Sequence, residues 1–327
     1  MTHFLVIGLG SIGRRHALNL ATEHPGARLT FVRHRGDVDG FGRHLDARVV
    51  TDLSDVLDDS IDLAVLATPS ASHVDILPTL IERGWPLLVE KPIVAAAEDC
   101  DEIDAALRVA DPAVRVAGFN LRYVPSIRRM KAAIDAGDVG HVVRASFTAG
   151  QWLPDWRPDT DYRASYSADS ARGGGVELDL AHEFDVARWL LGELQIDYAR
   201  GGKFSDLELQ ANDTSVSVLS PNDAPDPVVT VALDYVARRR VRRYEVVGDR
   251  GRIEWDIDGD LSLETAAGRC PLAIEADGFD VGRSYETMLQ DVLRAVESGD
   301  VDRVQPLADG LASTRLALEA RDRGGSS

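Results

Sequence analysis

The sequence predicts an α/β fold: a doubly wound parallel sheet, followed by an α+β domain with a large, mainly antiparallel sheet. Up to about residue 119, short β-branched runs alternate with helical patterns, and such alternation is typical of a parallel sheet covered by helices. Beyond that point, consecutive strands joined by short turns such as "GDRG" predict antiparallel pairing. We therefore expect two domains, 1–119 and 120–327.

The first domain begins with the run "HFLVIG" and contains five further short apolar runs. Near-continuous apolar runs fit strands that are buried on both faces of a sheet. Between them, "SIGRRHALNLATEH" and "ASHVDILPTLIERG" have the apolar spacing of amphipathic helices. The predicted strands are 3–8, 28–32, 48–50, 61–68, 86–91 and 114–119.

The second domain opens with a predicted helix, "PSIRRMKAAIDAG", and a strand, "HVVRASFTAG". A loop rich in Trp, Pro and Asp comes next, and then a helix beginning near "GGGVELDLAHEFDVARWLLG". Four alternating strands follow, and two helices at about 284–298 and 306–322 end the chain. The four strands are "TSVSVLS", "PVVTVALDYVA", "VRRYEVVG" and "RGRIEWDID".

Composition and charge exclude several classes of protein. The 327 residues carry a formal net charge of −18, so nucleic acid and anionic membrane would be repelled at long range. No apolar run approaches the roughly 20 residues that span a bilayer. Two cysteines, Cys100 and Cys270, are too few and too far apart for a disulfide framework. We expect a cytoplasmic protein without a metal site; the Asp-rich, Lys-poor composition fits either a high-salt cytoplasm or a GC-rich genome.

Glycines spaced as a dinucleotide-binding turn follow the first strand. Gly8 permits the tight turn, Gly10 lets the backbone approach a pyrophosphate, and Gly13 lets helix and strand pack closely. Ser11 and Ile12 open the helix, whose N-terminal N–H groups attract phosphate. The pattern predicts a Rossmann domain, the alternative being a structural turn alone.

The end of the second strand favours NADP over NAD. An NAD site has an acid about 20 residues beyond the glycines, whereas this strand ends in Arg33, His34 and Arg35. Two arginines there would pair with a 2′-phosphate, because the guanidinium fork donates two hydrogen bonds at once. NAD stays open, since Asp37 could reach the adenosine ribose. The arginines could also form only a solvated turn.

Further candidates lie after the fourth and fifth strands, at the carboxyl edge where ligands bind in such sheets. Thr68, Pro69 and His73 belong to "ATPSASH", and we place them near the cofactor, although a histidine there could be structural. Glu90 and Lys91 belong to "VEKPI". An exposed ion pair is the simplest interpretation of this dipeptide, but the chain contains only three lysines.

Taken together, the motifs resemble the Gfo/Idh/MocA family of nicotinamide-dependent oxidoreductases, named for glucose–fructose oxidoreductase and inositol dehydrogenase. The resemblance covers nearly the whole chain, in the family's order. The stretch "YRASYSADSARGGGVELDLAHEFD" is most similar to members encoded with surface-polysaccharide genes. The motifs are "GLGSIGRRH", "ATPSASH", "EKPI", "GFNLRYVP", "GGGVELDLAHEFDVARWLLG" and "RGRIEWD".

The resemblance implies three catalytic residues. Lys91 matches the family's active-site lysine, and Asp179 and His182 match its paired aspartate and histidine, the histidine being the usual proton-transfer group. The family places the histidine four residues after the aspartate, whereas here it comes three residues after. Residues three apart still share a helix face, so we expect both side chains to reach one site.

Other matches imply cofactor contacts. Asn120, in "GFNLRYVP", is placed with the cofactor-binding residues. Tyr162 and Arg163 fall roughly where many relatives carry a Trp-Arg pair that touches the cofactor, and Trp156–Arg157 is a competing match.

The implied reaction is hydride transfer between NADP(H) or NAD(H) and a sugar, polyol or nucleotide-sugar carbinol or ketone. In it His182 would move the proton, and Lys91 would stabilise charge on the same oxygen. The alternatives are reduction of a non-sugar carbonyl and a non-catalytic, cofactor-sensing protein of the same fold. We also expect a homodimer or homotetramer through the second domain's sheet.

Overall fold

The structure is a computed structural model that describes residues 1–156, 158–222, 224 and 226–325. The chain forms two compact units, Met1–Phe119 with Tyr285–Ala312, and Asn120–Ser284 with Ser313–Ser327.

One segment, 285–312, groups with the first unit although the sequence places it in the second domain. The backbone N–H of Ala117 donates to the carbonyl of Gln305 at 3.0 Å. Gly310 also lies directly against Ala117, since a Cβ on that glycine would come within 2.1 Å of the alanine Cβ. This close packing attaches the segment to the last strand of the first sheet.

Six parallel strands form the sheet of the first unit, in the order β3-β2-β1-β4-β5-β6. This is the order of a doubly wound dinucleotide-binding fold, so the predicted Rossmann architecture is confirmed. The strands are almost entirely buried, as their apolar runs indicate. They are β1 (His3–Ile7), β2 (Arg28–Val32), β3 (Arg48–Val50), β4 (Leu63–Leu66), β5 (Leu87–Glu90) and β6 (Arg115–Gly118).

Eight strands form the sheet of the second unit, in the order β14-β13-β12-β11-β7-β10-β9-β8. All neighbours are antiparallel except β7 and β10, which run parallel, so the mainly antiparallel sheet is confirmed. Stacking of Tyr244 on Trp255 across β11 and β12 fills the buried face. The strands are β7 (Val142–Gly150), β8 (Leu194–Gly202), β9 (Thr214–Pro221), β10 (Val228–Asp234), β11 (Val241–Gly248), β12 (Gly251–Asp256), β13 (Asp260–Thr265) and β14 (Gly268–Pro271).

The helices that the sequence predicts are present, except that the helix predicted from the glycine run is two helices, α6 and α7. The helices α2 and α4 were not predicted individually. Hydrogen bonds from Ala181 to Leu178 and from Glu183 to Leu180 span three residues and tighten the chain into a turn between them. The helices are α1 (Ser11–Glu23), α2 (Phe41–His44), α3 (His73–Glu82), α4 (Ala97–Val109), α5 (Pro125–Asp135), α6 (Val176–Asp179), α7 (His182–Leu191), α8 (Ser284–Ser298) and α9 (Leu307–Gly324).

None of the helices in the described part of the chain combines the length and the apolar character needed to cross a membrane.

Candidate active site

The glycine turn between β1 and α1 has the geometry that its spacing predicts. Gly8 adopts a φ of +92°, and a Cβ there would lie 2.7 Å from the carbonyl oxygen of Ala67. A Cβ on Gly13 would lie 2.0 Å from the carbonyl oxygen of Gly8, so only glycine allows the helix to approach the strand. A Cβ on Gly10 would meet nothing within 4 Å, which leaves open space over the turn.

Donors without acceptors surround this open space. The first N–H groups of α1, at Ser11 and Ile12, have no acceptor within the helix, and the first turn contains no acidic side chain. The Thr68 hydroxyl is buried and has no hydrogen-bond partner among the described residues. Its backbone lies beside the turn, because a Cβ on Gly8 would be 2.8 Å from the Thr68 nitrogen. These groups fit a pyrophosphate, which is rich in acceptors.

Asp39 pairs with the arginine that the sequence assigns to the 2′-phosphate. Both Arg33 terminal nitrogens donate to the Asp39 carboxylate at 2.9 Å, and Arg14 donates to it as well. The hydrogen bond from Arg33, with that from Arg14, holds the pKa of Asp39 far below its usual range, so the carboxylate is ionised. The same pairing raises the pKa of Arg33. The guanidinium fork of Arg33 is therefore already occupied by an anion.

The neighbouring residues divide into one structural acid and two exposed bases. Asp37 accepts hydrogen bonds from the N–H groups of Gly42 and Arg43, at 2.8 and 3.2 Å, and thereby holds α2. His34 and Arg35 are exposed. This geometry favours a structural role for Asp37 and leaves the Arg35 guanidinium open to an anion.

His73 connects two loops at the carboxyl edge of the sheet. Its ring nitrogens lie 3.0 Å from the carbonyl oxygen of Ile93 and 3.1 Å from that of Thr68. Burial lowers the pKa of His73, which favours the neutral ring. Pro69 is exposed beside it. Both nitrogens point at protein backbone, so the geometry supports a role in positioning Thr68.

Glu90 is a buried acceptor rather than half of an exposed pair. His16, on α1, approaches it with Nε2 2.6 Å from Oε1, and both side chains are almost fully buried. Gly118 packs against the glutamate, since a Cβ there would lie 3.1 Å from the Glu90 carboxyl carbon. Lys91 follows directly and is half-buried. The helix that begins at the glycine turn is thus tied to the segment that carries the lysine.

In the second unit, Asp179 and His182 are both buried, at 4 % and 7 % exposure. Asp179 is the last residue of α6 and His182 the first of α7. The hydroxyl of Tyr235 donates to Asp179 Oδ2 at 2.7 Å. Burial, and then the charge of Asp179, raises the pKa of Tyr235 well above its usual range, so the phenol keeps its proton. Tyr235 therefore fixes the carboxylate orientation.

Asn120 has one bonded and one open end. Its Nδ2 donates to the Ser284 hydroxyl at 2.7 Å. Its Oδ1 is buried and has no partner among the residues that the structure describes. That oxygen is available to a ligand donor.

Arg163 is engaged within its own loop. Its guanidinium makes hydrogen bonds of 2.9–3.0 Å to Asp161 and lies 3.5 Å from Glu208. The Tyr162 hydroxyl accepts from the Glu208 N–H at 3.1 Å. The bond to Asp161 raises the pKa of Arg163. These contacts favour a role in ordering the loop, while the competing Arg157 lies outside the described residues.

Sequence reasoning missed His16, Asp39 and Tyr235 as partners of site residues. The only available signal was the position of His16 at the end of "GLGSIGRRH". His16 and Tyr235 pair with residues far away in the sequence, whereas Asp39 lies six residues from Arg33. Within the described residues, no group of His, Cys, Asp or Glu side chains has the arrangement of a metal site.

Comparison with known proteins agrees with these features. A family model described as "Oxidoreductase family, NAD-binding Rossmann fold" matches residues 2–117, and one described as "GFO/IDH/MocA C-terminal domain" matches residues 127–254. Inositol 2-dehydrogenase 2 of Saccharopolyspora erythraea is 31% identical over 95% of this chain and 90% of its own.

Two solved structures share the fold. A levoglucosan dehydrogenase in complex with NADH superposes with a TM-score of 0.85 at 19% identity, covering 99% of this chain and 97% of that one. The WlbA dehydrogenase of Bordetella pertussis, in complex with NADH and UDP-GlcNAcA, gives 0.81 at 20% identity, covering 98% and 96%. With its glycine turn, its "EKP" lysine and matches along both units, the chain belongs to the Gfo/Idh/MocA family of NAD-binding oxidoreductases.

Proposed function

We propose that this enzyme transfers hydride between a nicotinamide cofactor and a carbinol or carbonyl carbon of a sugar, polyol or nucleotide-linked sugar. The observation that carries the proposal is the glycine turn, with open space at Gly10 and, beside it, a Thr68 hydroxyl that has no partner among the described residues. These residues would hold the pyrophosphate, and the bound nicotinamide supplies the hydride chemistry.

The protein's own residues then handle the proton. His182 takes the proton from the substrate hydroxyl in the oxidative direction, because imidazole exchanges protons readily near neutral pH. The Lys91 ammonium stabilises negative charge that develops on the same oxygen. Asp179, held by the Tyr235 hydroxyl, orients this site and tunes its charge.

The substrate class is supported by what relatives are named for. An inositol 2-dehydrogenase acts on a polyol, and the two solved structures are a levoglucosan dehydrogenase and a complex that holds UDP-GlcNAcA. The resemblance of residues 162–185 to members encoded with surface-polysaccharide genes favours a nucleotide-linked sugar.

For the cofactor, we propose that NADP(H) is preferred over NAD(H). Arg35 is exposed to solvent. Arg33 would bind the 2′-phosphate once the phosphate displaces the Asp39 carboxylate from its guanidinium. Asp39 limits this preference, because it already neutralises Arg33 in the free protein.

A cytoplasmic homodimer or homotetramer completes the proposal. Tyr198, Val216 and Val228 are large apolar side chains exposed on the second sheet, and pairing registers place them on its outward face. Apolar side chains on one face of a sheet favour pairing with a second copy.

A turnover screen tests the proposed reaction. Purified enzyme is mixed with polyols, sugars and nucleotide sugars, and NADPH or NADH absorbance is followed. We expect Lys91→Ala to abolish turnover and to leave cofactor affinity within a few-fold. His182→Asn should lower kcat by about 10²- to 10⁴-fold. Asp179→Asn should lower kcat by a smaller factor, because an orienting carboxylate does not carry the proton.

Lys203→Ala is the matched control, since Lys203 is an exposed lysine whose ammonium donates to a backbone carbonyl. Full activity of Lys91→Ala would contradict the role of the lysine. A larger loss in Asp179→Asn than in His182→Asn would assign the proton transfer to another group. Cofactor binding without turnover on any member of the panel would indicate a cofactor-sensing protein.

A further inference from the structure

Arg238 differs from its neighbours in how its charge is satisfied. It belongs to a run of five arginines within residues 238–243 of a chain whose net charge is −18. Three of them pair with carboxylates, as Arg243 does with Glu254 at 3.0 Å. Arg238 instead lies over the ring of Trp152, with 3.6 Å between the guanidinium carbon and the ring centroid. No carboxylate pairs with it among the described residues.

A turn that is held by side-chain hydrogen bonds comes directly before this arginine. Asp234 Oδ1 accepts hydrogen bonds from the N–H groups of Val236 and Ala237, at 2.9 and 2.6 Å. The carboxylate can sit there only because residue 150 is glycine, since a Cβ on Gly150 would lie 2.4 Å from Asp234 Oδ2. The chain just before Arg238 is therefore fixed at the carboxyl ends of β7 and β10.

The same turn is continuous with the Asp179 site. The N–H of Leu153 donates to the carbonyl of Tyr235 at 2.9 Å, and the Tyr235 hydroxyl reaches Asp179. Trp156 packs edge-on against the Tyr235 ring, with 5.3 Å between centroids. The residues from 151 to 156 thus connect the Arg238 platform to the site within one unit.

Trp156 supplies a second unused donor. Its indole nitrogen is buried and has no hydrogen-bond acceptor in the part of the chain that the structure describes. A buried N–H without an acceptor is costly, so it needs a partner from elsewhere. Indole N–H and guanidinium groups are donors only, so a ligand that binds either of them must present an acceptor.

We propose that Arg238, on its Trp152 platform, and Trp156 bind an oxyanion of the substrate, so that the substrate is a sugar bearing a carboxylate or a phosphate. Stacking on the ring uses the face of the guanidinium and leaves its N–H edge for the two oxygens of an anion. The local positive charge also offsets the repulsion between an anionic substrate and a protein of net charge −18. This inference rests on the proposed function and specifies its substrate class.

The test compares Arg238→Gln with Arg240→Gln. Arg240 is exposed on the same loop, is neither paired nor stacked within the described chain, and gives the same change of charge. Glucuronate and glucose 1-phosphate are the charged probes, UDP-glucose carries the phosphate in a nucleotide, and glucose and myo-inositol are the neutral probes. Binding to the NADPH-loaded enzyme is measured by calorimetry, and kcat/KM is measured where turnover occurs.

We expect the wild type to prefer at least one charged probe over both neutral ones. Arg238→Gln should lower the binding affinity for that probe by about tenfold to a hundredfold, the range expected for loss of a hydrogen bond to a charged group. The neutral probes and NADPH affinity should stay unchanged, and Arg240→Gln should match the wild type. Arg238→Lys should fall between the two, because it keeps the charge without the fork. Trp156→Phe should lower the affinity for the same charged probe and leave the affinity for the neutral probes unchanged.

The two charged probes identify whether the oxyanion is a carboxylate or a phosphate. Equal effects of the Arg238 and Arg240 substitutions, or tighter binding of the neutral probes, would overturn the oxyanion site. If neutral polyols turn over with dependence on Lys91 and His182 and no charged probe is preferred over them, the proposed function stands and the oxyanion site fails. If no probe turns over but Arg238→Gln still loses a charged probe in calorimetry, the site stands and the hydride transfer fails.

Discussion

Asp39 is the residue on which the proposed cofactor preference depends. It accepts from both terminal nitrogens of Arg33, which follows β2, and also from Arg14 on α1, so one carboxylate neutralises two cations. A 2′-phosphate must displace this carboxylate to reach the guanidinium fork. NADH brings no such charge and need not compete. Asp39 therefore opposes the preference that the arginines would create alone.

We expect Asp39→Asn to raise the affinity for NADPH by about twofold to fivefold, a typical effect of an exposed charge pair, and to change the affinity for NADH much less. Cofactor fluorescence titrations give both affinities. Asp58→Asn is the control, because Asp58 is an exposed aspartate of the same unit and the substitution removes the same charge. Equal gains for the two cofactors would mean that Asp39 does not discriminate at the 2′ position. Wild-type protein that prefers NADH would contradict the proposed preference for NADP(H).

Single residues were predictable where local spacing carries the information. The roles of Gly8 and Gly13 followed from the turn that they form, and the structure shows the close approaches that exclude a side chain. Contacts between distant segments could not be predicted in this way. Tyr235 lies 56 residues from Asp179, and His16 lies 74 residues from Glu90. No periodic pattern in a single sequence identifies such pairs.

At the scale of elements, α6 buries a glutamate side chain that has few hydrogen-bond partners to offset the loss of water. Glu177 is fully buried, and its Oε1 accepts from Asn212 Nδ2 at 2.8 Å. Its Oε2 has no partner among the described residues. Burial raises the pKa of Glu177, so folding favours the protonated acid.

We predict that Glu177 makes the protein less stable as pH rises. Because its folded pKa lies above its unfolded value, the folded state holds the proton more tightly, and the free energy of unfolding falls as pH rises from the unfolded pKa toward the folded one. Glutamine has no such ionisation. Each unit of raised pKa is worth about 1.4 kcal/mol at high pH, so the stability of Glu177→Gln relative to the wild type should increase from pH 5 to pH 8.

Urea unfolding at the two pH values measures this difference. Glu208→Gln is the control, because Glu208 is an exposed glutamate of the same unit. A difference between Glu177→Gln and the wild type that is the same at both pH values would show that Glu177 does not titrate between them.

Elements were predicted well where the apolar pattern is regular. The strands β3 and β11 and the helix α8 have the predicted bounds. The strands β8, β13 and β14 were missed. In β8, a shift of register between Ile196 and Tyr198 breaks the alternation of inward and outward residues on which the prediction depends. The turn between α6 and α7 was missed because every residue from Val176 to Val186 is buried, which masks the end of a helix.

At the scale of the whole molecule, the proposed oligomer depends on the outward face of the second sheet. Ser215 and Ser217 point to the buried side of β9, whereas Val216 between them is 43% exposed. Tyr198 and Val228 are 57% and 51% exposed on neighbouring strands. Three large apolar side chains on one face are hard to explain in a monomer, and a second copy would bury them.

We therefore expect Val216→Lys to dissociate the oligomer. A symmetric interface would bury the introduced lysine once per protomer, and burying an unpaired charge costs several kcal/mol, which corresponds to an increase in the dissociation constant of about a hundredfold or more. Val109→Lys is the matched control. Val109 is exposed at the end of α4 in the first unit, and this substitution introduces the same charge. Sedimentation velocity over a range of concentrations should show an oligomer for the wild type and for Val109→Lys, and monomer for Val216→Lys. A monomeric wild type would contradict oligomerisation, and an intact Val216→Lys oligomer would place its interface away from this sheet.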